Sequence, residues 1–353
     1  MSINTYNSVL SGRRVKGQYR VAVWVLAAAL ALGMGAPRPA SAEISEVRIA
    51  QQYGLTYLPL IVARNQQLIE KEAQAAGIKN LTVTWVRLGG GAAMSDALLT
   101  GSIEFASAGL GPLLTLWDKT QGNLGVRGVA ALDASAVFLN VNRPELKTLA
   151  DLKDSDRIAL PAVKVSHQAV LLEMAAAKAY GPDQYDRFDK LTVTLAHPDA
   201  YAALLSGKTE ITGHFGNSPF IYEELNNPGI HRLLSSEDIV GGLETVTSLF
   251  TTAKVRNDNP KVYRAVYAAL QDAQALIAKD KGLAAQIYVD EEKGPLTAYD
   301  IRKILELPTT RFSATPINTR IFADFMFQTG ALKTKPASWR DYYFSDLYAL
   351  PGS

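Results

Sequence analysis

The sequence contains no cysteine in 353 residues. That excludes a disulfide, a thiolate nucleophile and a cysteine-ligated metal, and it leaves no lipobox for a lipid anchor. Histidine is scarce, with four residues. His167, His197 and His214 lie 30 and 17 residues apart, a spacing that matches no local metal motif. No stretch interleaves basic and aromatic side chains as a nucleic-acid surface does, and no GxSxG-type nucleophile motif is present. Val21 to Ala36 is an apolar run of 16 residues, short of the ~20 that span a bilayer.

That run reads instead as the core of an export signal. Arg13, Arg14, Lys16 and Arg20 precede it, and Ala40-Ser41-Ala42 supplies a small-residue cleavage site. Residues 1–42 are therefore expected to be removed, leaving a mature chain from Glu43. Val15-Lys16-Gly17 follows the arginine pair where hydrophobic residues would favour the twin-arginine route, so Sec-dependent export of a soluble protein to the periplasm is expected. Five of the 36 Lys and Arg residues fall in this segment and no acid does. The remaining 31 bases face 34 acids, a net of −3. The apparent basicity belongs to the signal and is no evidence for a nucleic-acid partner. The 311 residues left after removing 42 from 353 are enough for two domains.

The mature chain repeats itself. Leu88 to Pro112 reads as glycine loop, helix, strand and loop, with a helix over 92–100 and Gly101 as its left-handed cap. Gly89, Gly90 and Gly91 leave helix N–H groups uncovered, a way to hold an anion. The stretch Ala97-Leu98-Leu99-Thr100-Gly101 returns as Ala203-Leu204-Leu205-Ser206-Gly207. Glu104 is answered by Glu210, and Pro112 by Pro219. Arg48-Ile49-Ala50 returns as Arg157-Ile158-Ala159, and Leu81-Thr82-Val83-Thr84 as Leu191-Thr192-Val193-Thr194. Three echoes in one order predict two α/β lobes of one topology.

Lobe 1 is expected to comprise 43–134 and 256–353, and lobe 2 to comprise 135–255. The chain crosses between them near Asp133–Ser135 and returns between Ser236 and Val255. Helices are predicted over 60–70, 167–180, 199–205 and 260–279. Strands are predicted over 47–51, 81–86, 102–106, 126–132, 136–141, 157–160, 191–195, 210–213 and 245–252. Ligands of open parallel sheets bind beyond the carboxyl ends of the strands. Three loops from each lobe would then surround one cleft, and two crossing segments would let it hinge shut.

Residues along the chain also carry a family resemblance. They are Tyr57-Leu58-Pro59-Leu60, Ile69-Glu70-Lys71-Glu72, Ala97 to Ala106, Gly109 to Pro112, Thr315-Pro316, Ala323 to Met326, Gly330 and Lys335 to Trp339. The chain resembles the periplasmic substrate-binding proteins of ABC importers in the nitrate, sulfonate and taurine group. The resemblance implies the type II periplasmic-binding-protein fold and delivery of a small solute to an inner-membrane ABC permease. It implies no cofactor and no catalysis, and we expect a monomer.

The cleft loops name the candidate ligand contacts. From lobe 1 they are Tyr53, Thr56, Tyr57, Gly90, Gly91, Ala92, Gly109 and Leu110. From lobe 2 they are Ser166, His167, Gln168, His197, His214, Phe215 and Asn217. Glu244, in the return crossing, could receive an ammonium or hydroxyl group, or serve as a solvated hinge charge. The imidazoles are expected to act as neutral donors to a carboxylate or sulfonate. Ser166 is expected to cap the helix that follows. His231 is expected to be structural. Leu110 stands where the family often has a small polar residue, and with Phe215 it points to an organic anion with an apolar part. Two alternatives remain: a fold-related enzyme of pyrimidine or thiamine-precursor metabolism, and a ligand sensor for a membrane kinase.

Overall fold

Each copy of the repeat builds a five-stranded sheet flanked by helices. The computed structural model describes residues 43–353, and the expected export signal at 1–42 lies outside them. The strands are β1 (Glu46–Gln51), β2 (Thr82–Arg87), β3 (Phe105–Gly109), β4 (Arg127–Ala131), β5 (Ala134–Ser135), β6 (Phe138–Val141), β7 (Ile158–Leu160), β8 (Thr192–Thr194), β9 (Gly213–Gly216), β10 (His231–Ser235), β11 (Glu244–Thr245), β12 (Thr247–Thr251) and β13 (Thr310–Arg311). The first sheet has the order β2-β1-β3-β12-β4, and the second, read from its other edge, β8-β7-β9-β6-β10. The two orders coincide once repeat partners are exchanged. The Arg-Ile-Ala triplets fall at β1 and β7, and the Leu-Thr-Val-Thr segments at β2 and β8.

In both sheets the fourth strand runs antiparallel to its neighbours. It is also the strand that has just crossed over: β6 follows the first crossing and β12 follows the second. The two crossings pair with each other. β5 lies antiparallel to β11, with Ser135 opposite Glu244 and Ala134 opposite Thr245. β13 closes the other edge of β5. This is the type II periplasmic-binding-protein architecture, two similar α/β lobes joined by two crossover segments.

The helix Pro260–Lys279 forms as its periodicity predicts, burying Val262, Val266, Ala269, Leu270 and Ala273 against the helices that follow β1. The single helix expected over 60–70 is two, Leu58–Asn65 and Leu68–Ala75. Gln67 sits at φ 51 in the left-handed region and turns the chain between them. Glutamine is a good helix former and the apolar pattern runs through it, so local preference gave no sign of the break. The strands expected over 102–106 and 210–213 begin three residues later. Gly101 and Gly207, at φ +71 and +58, do provide the left-handed caps. A turn then intervenes, and in the first copy the Arg48–Glu104 ion pair, 2.6 Å, pins it. The repeat does not conserve that pair. Glu210 is exposed, and the Arg157 guanidinium donates instead to the carbonyls of Asp154 and Asp156, each at 2.7 Å.

One buried carboxyl sits where the crossings meet. Asp133 accepts the Thr247 N–H at 3.0 Å and the Ser135 hydroxyl at 2.6 Å. Burial pushes its carboxyl up to about 8, against the lowering effect of the Ser135 and Thr247 bonds and helped by the nearby Glu244. A carboxyl raised above its unfolded value of 3.8 contributes stability that is complete below the lower value and is lost as pH rises through the higher one. Asp133→Asn should therefore flatten the decline in melting temperature between pH 4 and about 8. A scan of both proteins by calorimetry checks this, and an unchanged slope would assign the decline to other groups.

Candidate ligand-binding site

Loops from both lobes close on a polar cavity of about 20 Å³. That is room for a water molecule or so, so these walls are drawn together, and a solute of several atoms must enter with the lobes apart. From the first lobe and the crossing come Gln52, Tyr57, Gly91, Gly109, Pro112, Val246 and Thr247. From the second come Pro161, Ser166, His167, Gln168, His197 and Asn217. Neither Arg nor Lys is among them.

Helix starts position several of these groups. Ser166 caps the helix His167–Tyr180 as expected, its Oγ accepting the Ala169 N–H at 3.1 Å, and this holds His167 and Gln168 at the cavity. His167 stacks on Phe322 with centroids 4.5 Å apart. Its Nε2 lies 3.5 Å from Glu244 Oε1, while its Nδ1 has no protein partner. Asn217 donates to Thr56 Oγ1 at 3.3 Å and keeps Oδ1 unpartnered. Buried polar atoms without partners are costly, so this wall favours a solute that supplies hydrogen bonds. The Tyr57 hydroxyl lies among Thr247 and Gln52, and burial holds it un-ionised.

Behind His197 runs a buried chain of groups. His197 Nδ1 is 2.9 Å from His214 Nε2, and His214 Nδ1 meets Glu224 Oε1. Asn140 donates to the other Glu224 oxygen at 2.8 Å. Glu224 and His214 are fully buried. An ionised Glu224 only accepts, so the proton sits on His214 Nδ1. With both rings neutral, His214 Nε2 accepts from His197 Nδ1. His197 Nε2 then faces the cavity as an acceptor, 3.5 Å from Gln168 Nε2. One more proton on the pair leaves the His214 Nδ1–H donating to Glu224 and turns His197 Nε2 into a donor. Burial, and then the charge of His214, hold His197 well below the usual imidazole range, so at neutral pH the cavity meets an acceptor. In that tautomer His197 offers the cavity an acceptor where the sequence led us to expect a neutral donor.

Of the sequence candidates, Tyr57, Gly91, Gly109, Ser166, His167, Gln168, His197 and Asn217 share the cavity. Thr56 supports Asn217 from behind. His214 lies behind His197 and does not line the cavity. Leu110 and Phe215 are core residues with no exposed surface, which removes the observation that pointed to an apolar part of the ligand. Ala92 is exposed on the far side of its helix. Tyr53 lines a different cavity. Glu244 is completely buried, not a solvated hinge charge. His231 bonds the Leu146 carbonyl at 2.6 Å, the structural role expected.

The glycines serve close approach. A Cβ on Gly90 would stand 2.4 Å from the Pro161 carbonyl oxygen, and one on Gly109 would stand 2.5 Å from the Cβ of His167. Both contacts join the two lobes, as does the Leu55 N–H to Ser218 carbonyl bond at 2.7 Å. Close approach accounts for Gly90, while Gly91, at the start of the same helix, lines the cavity. Missed from sequence were Gln52, which directly follows β1, Thr247, the first residue of β12, and the supporting Glu224 and Asn140. Gln52 follows the first strand and could have been found by the rule applied to its neighbours. Glu224 carried no signal, because a glutamate on a short helix looks solvated. Gly90→Ala should leave the fold intact and hold the lobes apart, weakening capture of any solute about tenfold or more. Small-angle scattering and calorimetric titration read the two effects, and unaltered closure would remove the contact from the account.

Comparison with known proteins follows the fold. The model of the NMT1-like family matches residues 40–288. No curated protein sequence matches the chain. Among solved structures, the alkanesulfonate-binding protein SsuA of Xanthomonas axonopodis pv. citri, bound to MOPS, superposes with a TM-score of 0.65 at 20% identity, covering 83% of this chain and 96% of that one. The aliphatic sulphonate-binding protein SsuA of Escherichia coli gives 0.62 at 21%, with 86% and 93% covered. The nitrate-binding protein NrtA of Synechocystis PCC 6803 gives 0.67 at 16%, with 87% and 88% covered. These likenesses are of fold, and the family match spans most of the chain. With its paired crossings and matched sheets, this chain belongs to the NMT1-like family and has the periplasmic-binding-protein fold.

Proposed function

We propose that the protein is the extracytoplasmic solute-binding component of an ABC importer, working as a monomer that closes on a small polar solute and hands it to an inner-membrane permease. The observation that carries this reading is the polar cavity walled by both lobes, at the junction of the two crossings. Its lining supports binding without covalent chemistry. Ser166 spends its oxygen on a helix N–H, and among the described residues neither imidazole bonds to a hydroxyl nucleophile. The family and the solved sulfonate- and nitrate-binding structures support the same role.

The sequence points to a small anion, and the cavity sets the terms on which it accepts one. No cationic side chain lines it, so the counter-charge must come from a proton on the His197–His214 pair, held there by Glu224. Anion affinity should then rise as pH falls, by up to about tenfold per unit, while a neutral solute shows no such slope. Glu224→Gln removes the charge that stabilises the imidazolium and should weaken anion capture and flatten its pH profile. Titration calorimetry at several pH values measures both.

Identity of the solute is tested by native mass spectrometry of the purified protein and by thermal shift against nitrate, taurine, alkanesulfonates, aromatic carboxylates and thiamine-precursor pyrimidines. One class should raise the melting temperature by about 5 °C at a hundredfold excess over Kd. Turnover of a bound compound, or no shift with any class, would overturn the import reading.

A further inference from the structure

A second cavity, of about 320 Å³, opens between the lobes beside the first. The stacked rings of His197 and Phe220, 5.9 Å apart, divide the two: His197 lines the first and Phe220 the second. Its walls are aromatic, with Tyr53, Tyr201, Phe220 and Tyr288, and among the described residues its charged groups are Arg87, Glu223 and Glu292.

Two of those charges cancel. Arg87 donates both terminal nitrogens to Glu292, at 2.5 Å each, and lies over the Tyr53 ring at 5.0 Å. Glu223 is different. It is 8% exposed, and its Oε2 has no hydrogen-bond partner among the described residues. Tyr201 is the hydroxyl that stabilises its charge, against burial and the neighbouring Glu224, which push its carboxyl up. A carboxylate left unmatched among aromatic faces is expensive unless a cation answers it. Ring faces attract the same charge, so carboxylate and rings ask for one kind of guest.

We propose that this cavity binds an organic cation, an ammonium on a hydrocarbon body, with the charge against Glu223 and the body between Tyr201, Phe220 and Tyr288. The cavity volume is in the range of small-molecule sites. Because its walls come from both lobes, an occupant favours the closed arrangement. The first cavity, with no charged side chain on its lining, makes no such demand, so this site goes beyond solute capture there and stands whether or not that capture is of an anion.

A series with one ring and three charges tests it: benzylammonium, benzyl alcohol and benzoate, titrated into the whole mature protein. Benzylammonium should bind about tenfold or more tighter than benzyl alcohol, and benzoate should bind least. Glu223→Gln should bring benzylammonium down to the level of the alcohol. Tyr201→Leu, which keeps the carboxylate, should weaken both and so reports independently if the first variant is unstable. Equal affinity for ammonium and alcohol, no binding of benzylammonium, or a preference that survives Glu223→Gln would overturn the assignment. Failure here leaves the pH profile and thermal-shift results for the first cavity as they are.

Discussion

Much of this molecule hangs on the contact between its two crossings. β5 and β11 are two residues each, too short to be stable alone, and Asp133 fastens them by taking the first backbone N–H of β12. The position of that N–H sets Thr247 at the cavity wall, and the neighbouring Glu244 sets the ring of His167. A buried carboxyl that is most stable when protonated is a weak clasp by design of its surroundings: it holds strands in register without carrying an uncompensated charge into the core. The paired crossings and the cavity wall are thus one structure.

The binding wall itself is polar without being charged. Its polarity comes from amides, hydroxyls and imidazoles, and its direction is set from behind by Glu224 through His214. Such a wall discriminates by the count and placement of donors and acceptors, since a mismatch strands a buried group. It also makes the site answerable to protonation, because one proton on the imidazole pair turns the cavity-facing His197 Nε2 from acceptor to donor. The second cavity works by the opposite means, with formal charge and aromatic faces, and the ring pair His197–Phe220 keeps the two environments apart.

Closure depends on small residues as much as on polar ones. Gly90 and Gly109 bring first-lobe backbone against Pro161 and His167 at distances a side chain would forbid. Packing this tight acts over a narrow range, so the closed form is either fully made or absent, as packed interfaces tend to be. The first cavity's small volume in the closed form follows from the same contacts.

The sequence by itself determined the duplicated α/β plan, the long helices, the left-handed caps at Gly101 and Gly207, and the loops that face the cleft. These follow from periodicity and turn chemistry, which are local. Only the tertiary structure decided which loop residues share the cavity. Phe215 and His214 are adjacent in sequence and on opposite faces of β9, so one enters the core and the other meets Glu224. Tyr53 and Tyr57 are four apart and serve different cavities. The role of Glu224, the burial of Glu244 and the reason for the glycines at 90 and 109 depend on partners ten or more residues away. Contacts between distant segments leave no periodic trace in either one, and burial of a charge is decided by what the rest of the chain brings to cover it.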